Sequence, residues 1–388
     1  MAAFNAKTVQ RWLAIIATVS LVVGAAGACF LHALDGVTHL FRSTPWLIAL
    51  LPFIGLLTVW LYQGPLKASA GGVKALIAQI KAPTTPLPAT MGPGIIGTTL
   101  LSHLGGASVG REGTALQMGG AIADQGSRWI DLNESERRTL ILCGVSAGFS
   151  AVFGTPVAAA IFALEFVRQR SWAVIPCLAT AFLADLVGRK LFFAKHADYR
   201  LPLPADYDLS GFGSAVLLGL ACGGVAWLYV FLCRRESSRP NPEPYARIFF
   251  AGTIFSAFVY FQHMEDLTGL GLPVIESALV EPSGPVTFIF KFLFTLLCVG
   301  AGFRGGEVTP LFFVGATLGS AAAALLSLPL SICAALGFVG VFAGAGAVPL
   351  TCAVMACELF GFSIGGYALV TCGVSWLVAG RKGLYDEA

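Results

Sequence analysis

The stretch from Trp12 to Leu34 runs for 23 residues without a formal charge. About 20 apolar residues are what an α-helix needs to cross the hydrocarbon of a bilayer. Four more apolar stretches are mostly near that length: Trp46 to Leu61, Ser171 to Phe193, Gly211 to Cys233 and Ile248 to Phe261. A backbone in lipid finds no water for its N–H and C=O groups, so only helices and closed barrels are open to it. These runs lack the strict apolar/polar alternation of barrel strands, which predicts an all-α integral membrane protein. Composition agrees, with 56% of residues hydrophobic and 12% charged, against about 25% charged in soluble domains. Other apolar stretches are cut by Gly and Pro into pieces too short to span. Such pieces are tolerated only where protein or a cavity covers the backbone, so half-helices are expected.

The net charge of +3 is spread over loop ends, which points away from nucleic acid. The ten cysteines stand singly in apolar runs, as Cys143, Cys298 and Cys372 do, and read as small buried hydrophobes. Neither they nor the five histidines show metal-ligand spacing, so no metal and no cofactor is expected. A membrane enzyme would need a nucleophile–base or metal constellation, and none is spaced for it. Lys7 and Arg11 ahead of small residues Gly24 to Ala28 resemble a signal peptide. The run is long and has no clear cleavage boundary, which favours a retained first helix. No soluble regulatory domain is expected before it or after Tyr385.

An ionisable residue at membrane depth is costly and marks function. Here it is Glu112, within Gly110-Arg111-Glu112-Gly113-Thr114. Gly305-Gly306-Glu307-Val308-Thr309 repeats this run at an offset of 195, and Pro156, Ala160, Ala163 and Glu165 recur as Pro349, Ala353, Ala356 and Glu358 at 193. The long helix near Trp12 has a counterpart near Gly211, at an offset of about 199. These matches suggest one unit written twice, over 1–200 and 201–388, although Gly, Ala and Pro are common enough in membrane helices for chance to compete. Lys7 and Arg11 precede the first long helix, whereas Arg234, Arg235 and Arg239 follow its counterpart. The positive-inside rule then inverts the repeats and places both termini in the cytoplasm, the second through Arg381 and Lys382. His196 to Ser210 becomes the outer linker and Arg234 to Arg247 an inner loop.

Inverted repeats with broken helices make a transporter, in which half-helix N-termini converge and offer free N–H groups to an anion. Gly110, Gly113, Gly305 and Gly306 would let backbone amides approach the ion closely. A carboxylate in the same place competes with the anion until a proton neutralises it or its side chain swings away, which couples anion to proton. A structural or receptor protein has no reason to place two glycine-flanked glutamates at one repeat offset. Arg111 either raises the local potential for anions or holds the loop by bonding carbonyls. Glu307 has a bland alternative as the ion-pair partner of Arg304. The stretch Asp131 to Arg138 reads as a solvated connection, with Asn133 or Ser135 capping a helix that opens near Arg137.

These residues resemble the chloride channel and transporter (CLC) family over almost the whole chain. Gly110 to Thr114 is similar to its GREGP motif and Ala147 to Glu165 to the segment that follows; Gly305 to Pro310 stands in the place of GxFxP, and Gly383-Leu384-Tyr385 lies near the C-terminus. The resemblance implies a CLC-like bundle of many tilted, broken helices, as a homodimer with one ion pathway per subunit in a multi-pass inner membrane. It implies that Glu112 is the gating glutamate and that Tyr385 contacts the central anion, with an interfacial anchor as the alternative for Tyr385.

The departures from that pattern carry as much information. Ala70-Gly71-Gly72-Val73-Lys74 stands where the family has GSGIP, so Gly71 replaces an anion-contacting serine. The aromatic of GxFxP is Val308, between Glu307 and Thr309. The family's inner proton glutamate aligns with Phe166, beside Glu165. Glu165 is expected at a helix end near Arg168 or Arg170, with a proton role as the lesser alternative, and Glu358 carries the same structural reading. Together these features resemble the fluoride/proton antiporter branch, with a chloride/proton antiporter or passive chloride channel as the alternative. Fluoride holds its water tightly and requires strong donors at short range. Thr309, amides near Glu307 and a protonated Glu307 are the candidates.

Overall fold

The structure, a computed structural model, describes residues 6–168, 172–197, 199, 207–238 and 243–386. Among these residues it contains sixteen α-helices and no named strand. The first eight are α1 (Ala6–Ser43), α2 (Leu51–Gln63), α3 (Gly72–Lys81), α4 (Met91–Leu104), α5 (Glu112–Gln125), α6 (Glu134–Phe153), α7 (Pro156–Glu165) and α8 (Val174–Leu186). Then follow α9 (Leu209–Ser237), α10 (Pro244–Gln262), α11 (Leu272–Ala278), α12 (Thr287–Ala301), α13 (Val308–Ala322), α14 (Leu330–Ala345), α15 (Pro349–Phe360) and α16 (Gly365–Val378). The starts of α4 and α12, of α5 and α13, and of α6 and α14 each lie 196 residues apart.

The all-α architecture is as expected. Segments Ala6–Ser43, Pro45–Gln63, Leu209–Glu236, Pro244–Gln262 and Val308–Leu325 are long and apolar enough to cross a membrane. The shorter apolar helices α7, α12, α14 and α15 are the broken pieces. The expected span from Ser171 to Phe193 does not form as such. Its described part is α8, only 13 residues long, followed by a π-helical turn over Val187–Leu191 that carries Arg189 and Lys190. Asp185, with 1% exposure, pairs with Arg189, so charge ends the apolar stretch.

Two compact units interleave along the chain. One comprises 1–33, 65–96 and 114–197. There α6 packs on α7 and α8, and Phe149, Phe162 and Phe166 stack with ring centroids 4.7 and 4.9 Å apart. Asn133 caps α6 in a reciprocal box with Glu136, so the helix opens at Glu134 rather than near Arg137. The solvated connection expected over Asp131 to Arg138 is corrected at its last two residues. Arg137 is 8% exposed and grips the fully buried Asp124 through Nε at 2.8 Å and Nη2 at 3.0 Å, while Leu87 N–H donates to the same carboxylate at 2.7 Å. Arg138 donates to the carbonyls of Ile80 and Lys81. A charge in a dry interior persists only when paired and hydrogen-bonded in this way.

The other unit comprises 34–64, 97–113 and 198–388. Helix α14 lies against α13, α9 and α16. The α13–α14 crossing is glycine-set, since a Cβ on Gly315 would fall on the Gly337 carbonyl oxygen. Small residues at such crossings let helix backbones meet in lipid, where apolar burial gives no drive to association. Both glutamate motifs' central residues belong to this unit.

Candidate functional site

The segments ahead of α5 and α13 meet backbone to backbone. Gly110 and Gly306 form an isolated antiparallel bridge in which Gly306 N–H donates to Gly110 O at 2.7 Å and Gly110 N–H donates to Gly306 O. The approach requires glycine at its centre. A Cβ on Gly306 would lie 2.7 Å from Glu112 Oε2 and 2.8 Å from Glu112 N. Gly305 and Gly113 share the junction: a Cβ on Gly305 would meet Val109 at 2.7 Å and one on Gly113 would meet Gly305 O at 3.1 Å.

Glu112, the first residue of α5, has no exposure to solvent. Its Oε2 accepts from Arg111 N–H at 3.0 Å and from Thr309 N–H at 3.1 Å, and the Thr309 hydroxyl donates to Oε1. The carboxyl group is thus held by backbone and hydroxyl donors at the N-terminus of α13, where the unpaired N–H groups and the helix dipole favour negative charge. Val308 and Thr309 open that helix with 1% and 2% exposure. The Arg111 guanidinium lies within electrostatic reach of Glu112 and of the Tyr199 hydroxyl.

Glu307 is placed differently. It is the N-cap of α13, half-buried, and its Oε2 accepts from the Tyr229 hydroxyl at 3.2 Å. Arg304, the alternative partner weighed from sequence, instead stacks its guanidinium on the Tyr62 ring, 3.8 Å from the centroid. The Tyr385 hydroxyl lies within electrostatic reach of both Glu307 and Glu112. Its segment is anchored, with Leu384 N–H donating to Ala345 O at 2.8 Å and Arg234 donating to Gly383 O at 2.9 Å. Gly110, Arg111, Glu112, Gly305, Gly306, Glu307, Thr309 and Tyr385 therefore gather in one unit.

Other candidates belong to the first unit. Gly71 is the exposed N-cap of α3 in the first unit. Glu165 ends α7, and Arg168 N–H donates to its carbonyl, as a helix-end position predicts; Arg170 lies outside the described residues. Phe166 caps α7 and stacks on Phe162. Among the described residues, no group of three His, Cys, Asp or Glu is placed to hold a metal.

Two residues of this unit were missed from sequence. Tyr229 is a fully buried tyrosine within apolar α9, and its hydroxyl is the signal, because a buried tyrosine oxygen usually finds a partner. Lys291 is a lysine inside the apolar run of α12. It has no exposure, and its ammonium donates to Leu267 O at 2.8 Å and Gly269 O at 2.7 Å, 5.0 Å from the Phe313 ring centroid. The amine is thus met by carbonyls and a ring face.

A family model described as voltage gated chloride channel matches residues 54–380. A chloride/fluoride channel protein of Pseudomonas syringae pv. tomato is 39% identical over 97% of this chain and 86% of its own length. Among solved structures, a CLC-type fluoride/proton antiporter superposes with a TM-score of 0.93 at 29% identity, covering 98% of each chain. A slow cyanobacterial Cl−/H+ antiporter gives a TM-score of 0.82 at 21% identity over 97% of this chain and 96% of its own, a likeness of fold alone. With the matched model spanning most of its length, this chain belongs to the voltage-gated chloride channel family.

Proposed function

We propose that the chain is a fluoride/proton antiporter that uses the proton gradient to expel fluoride. The observation that carries this reading is the seat of Glu112, whose carboxylate rests on the amide and hydroxyl of Thr309 and the amide of Arg111. A seat that satisfies a carboxylate with three donors also satisfies a small anion. Ionised Glu112 fills it; protonation weakens its hold on those donors and releases it; fluoride takes the vacated place. Glu307 then either binds that fluoride or relays the proton. Two relatives support the anion: the chloride/fluoride channel protein at 39% identity and the fluoride/proton antiporter at 29%.

The surrounding assignments belong to the same proposal. Residues 1–200 and 201–388 are inverted repeats, supported by the common spacing of their helix starts. The molecule is a multi-pass inner-membrane homodimer with both termini cytoplasmic and one pathway per subunit. Tyr385 faces the central anion, supported by its closeness to both carboxylates.

The test is flux through liposomes, with fluoride followed by electrode and protons by an internal pH dye. The expected result is fluoride efflux with proportionate proton uptake, lost as coupling in Glu112→Gln, whose amide cannot exchange a proton. Uphill proton movement persisting in Glu112→Gln sinks the mechanism. Chloride flux equal to fluoride flux sinks the fluoride preference and leaves a chloride/proton antiporter or a passive chloride channel.

A further inference from the structure

Tyr229, Cys233 and Glu236 stand four and three residues apart on α9 and therefore share one of its faces. The face is graded in exposure. Tyr229 is fully buried, Cys233 is half-buried, and the Glu236 side chain is 34% exposed, paired with Arg247 at 2.8 Å. The polar groups follow in the same order. Cys233 stands one helical turn from Tyr229 and lies within electrostatic reach of Glu236. The Tyr229 hydroxyl in turn donates to Glu307 Oε2 at 3.2 Å. Beyond Cys233 the helix borders a cavity of about 520 Å³ lined by Arg235, Glu236, Arg247 and Gly300. Phe and Ala would fill the places of Tyr229 and Cys233 by packing alone. A hydroxyl and a thiol on the face that leads to Glu307 add exchangeable protons instead.

We propose that Tyr229 and Cys233 form the arm of the proton route that serves Glu307 from the arginine-marked end of α9, which the positive-inside rule makes cytoplasmic. The inference rests on the antiport reading above. It supplies an inner path where Phe166, apolar and stacked on Phe162, occupies the place of an inner glutamate. One proton moves per pass. The Tyr229 O–H bond breaks as its proton joins the Glu307 carboxylate, while the Cys233 proton joins the Tyr229 oxygen. The sulfur regains a proton from solvent that enters by the cavity. One proton enters, one arrives, and the concerted transfer leaves neither phenol nor thiol charged in a region where an uncompensated charge is costly. Rotation of the two groups restores their donor directions.

The experiment measures fluoride and proton flux together from the full chain in liposomes, for Tyr229→Phe, Cys233→Ala and Cys233→Ser. Phe keeps the ring that packs edge-to-face on Phe292, 5.4 Å between centroids, so fluoride movement should persist. Proton flux should fall by about tenfold or more, the scale on which a positioned proton-transfer group acts. Cys233→Ala should lose proton flux and Cys233→Ser, with a hydroxyl in place of the thiol, should retain it. A wild-type proton:fluoride ratio in Tyr229→Phe overturns the proposal, as does equal loss of both fluxes, which marks a structural role. Should Tyr229→Phe fail to fold, the Ala and Ser pair decides: identical ratios in the two overturn the route. Failure of the broader reading is distinct, because wild-type protein would then move no protons with fluoride.

Discussion

Thr309→Val, made in a chain that already carries Glu112→Ala, tests whether the seat of Glu112 is an anion seat. Alanine at 112 frees the Thr309 amide, the Thr309 hydroxyl and the Arg111 amide from the carboxylate they now hold. Thr309 is 2% exposed, and valine matches its branched shape while turning the hydroxyl into a methyl. One of three donors is removed with little change of packing. A hydrogen bond to a charged acceptor contributes about 1.5–3 kcal/mol, and each 1.4 kcal/mol is about tenfold in affinity. Fluoride should therefore bind the double variant about 10- to 150-fold more weakly than Glu112→Ala alone. Titration calorimetry on detergent-solubilised protein reads the difference directly, and Thr309→Ser in the same background should restore most of it. Chloride, with a more diffuse charge and a weaker demand on donors, should lose less. If fluoride binds equally well with threonine and valine, the hydroxyl does not meet the anion and the seat of Glu112 is not that of fluoride.

Gly306→Ala should abolish transport, because its Cβ would lie 2.7 Å from Glu112 Oε2 and from Gly113 N; overpacking of this kind costs about 1–3 kcal/mol. Fluoride efflux normalised to folded protein checks it, and a wild-type rate would show that the junction is not tight. Arg137→Met should destabilise by about 3–5 kcal/mol, since it strands a buried carboxylate, here Asp124 with no exposure. The readout is a lower melting temperature in detergent with the proton:fluoride ratio of the surviving protein unchanged; an unaltered melting temperature would refute the pairing argument.

What was legible in the sequence followed from hard physical constraints. Lipid forces long apolar helices, and four of the five spanning segments could be read from uncharged runs. Ser171 to Phe193 failed because composition over a window hides single charges: Asp185, Arg189 and Lys190 end the helix and turn it. The glutamate motifs were legible because close backbone approach leaves no choice but glycine. Pairings between distant residues were not. Arg137 looked solvated in a charged run, and only folding brings it to Asp124 across the α5–α6 connection. Tyr229 donates to Glu307 from 78 residues away, and no local pattern announces that contact.

The two glutamates differ because their helices begin one residue apart from the match read in sequence. Glu112 and Glu307 are separated by 195 residues, whereas the starts of α5 and α13, and the bridged pair Gly110 and Gly306, are separated by 196. Glu112 is accordingly the first residue of its helix and Glu307 the cap before its own. One residue is about 100° around a helix axis, enough to send the two carboxylates to different partners. Glu112 reaches across the bridge and takes the donors that open α13. Glu307 turns to the hydroxyl of Tyr229 on α9. The one-residue slip gives the two carboxyls different partners, the donors that open α13 for Glu112 and the Tyr229 hydroxyl for Glu307, a division that the proposed exchange of anion for proton would use.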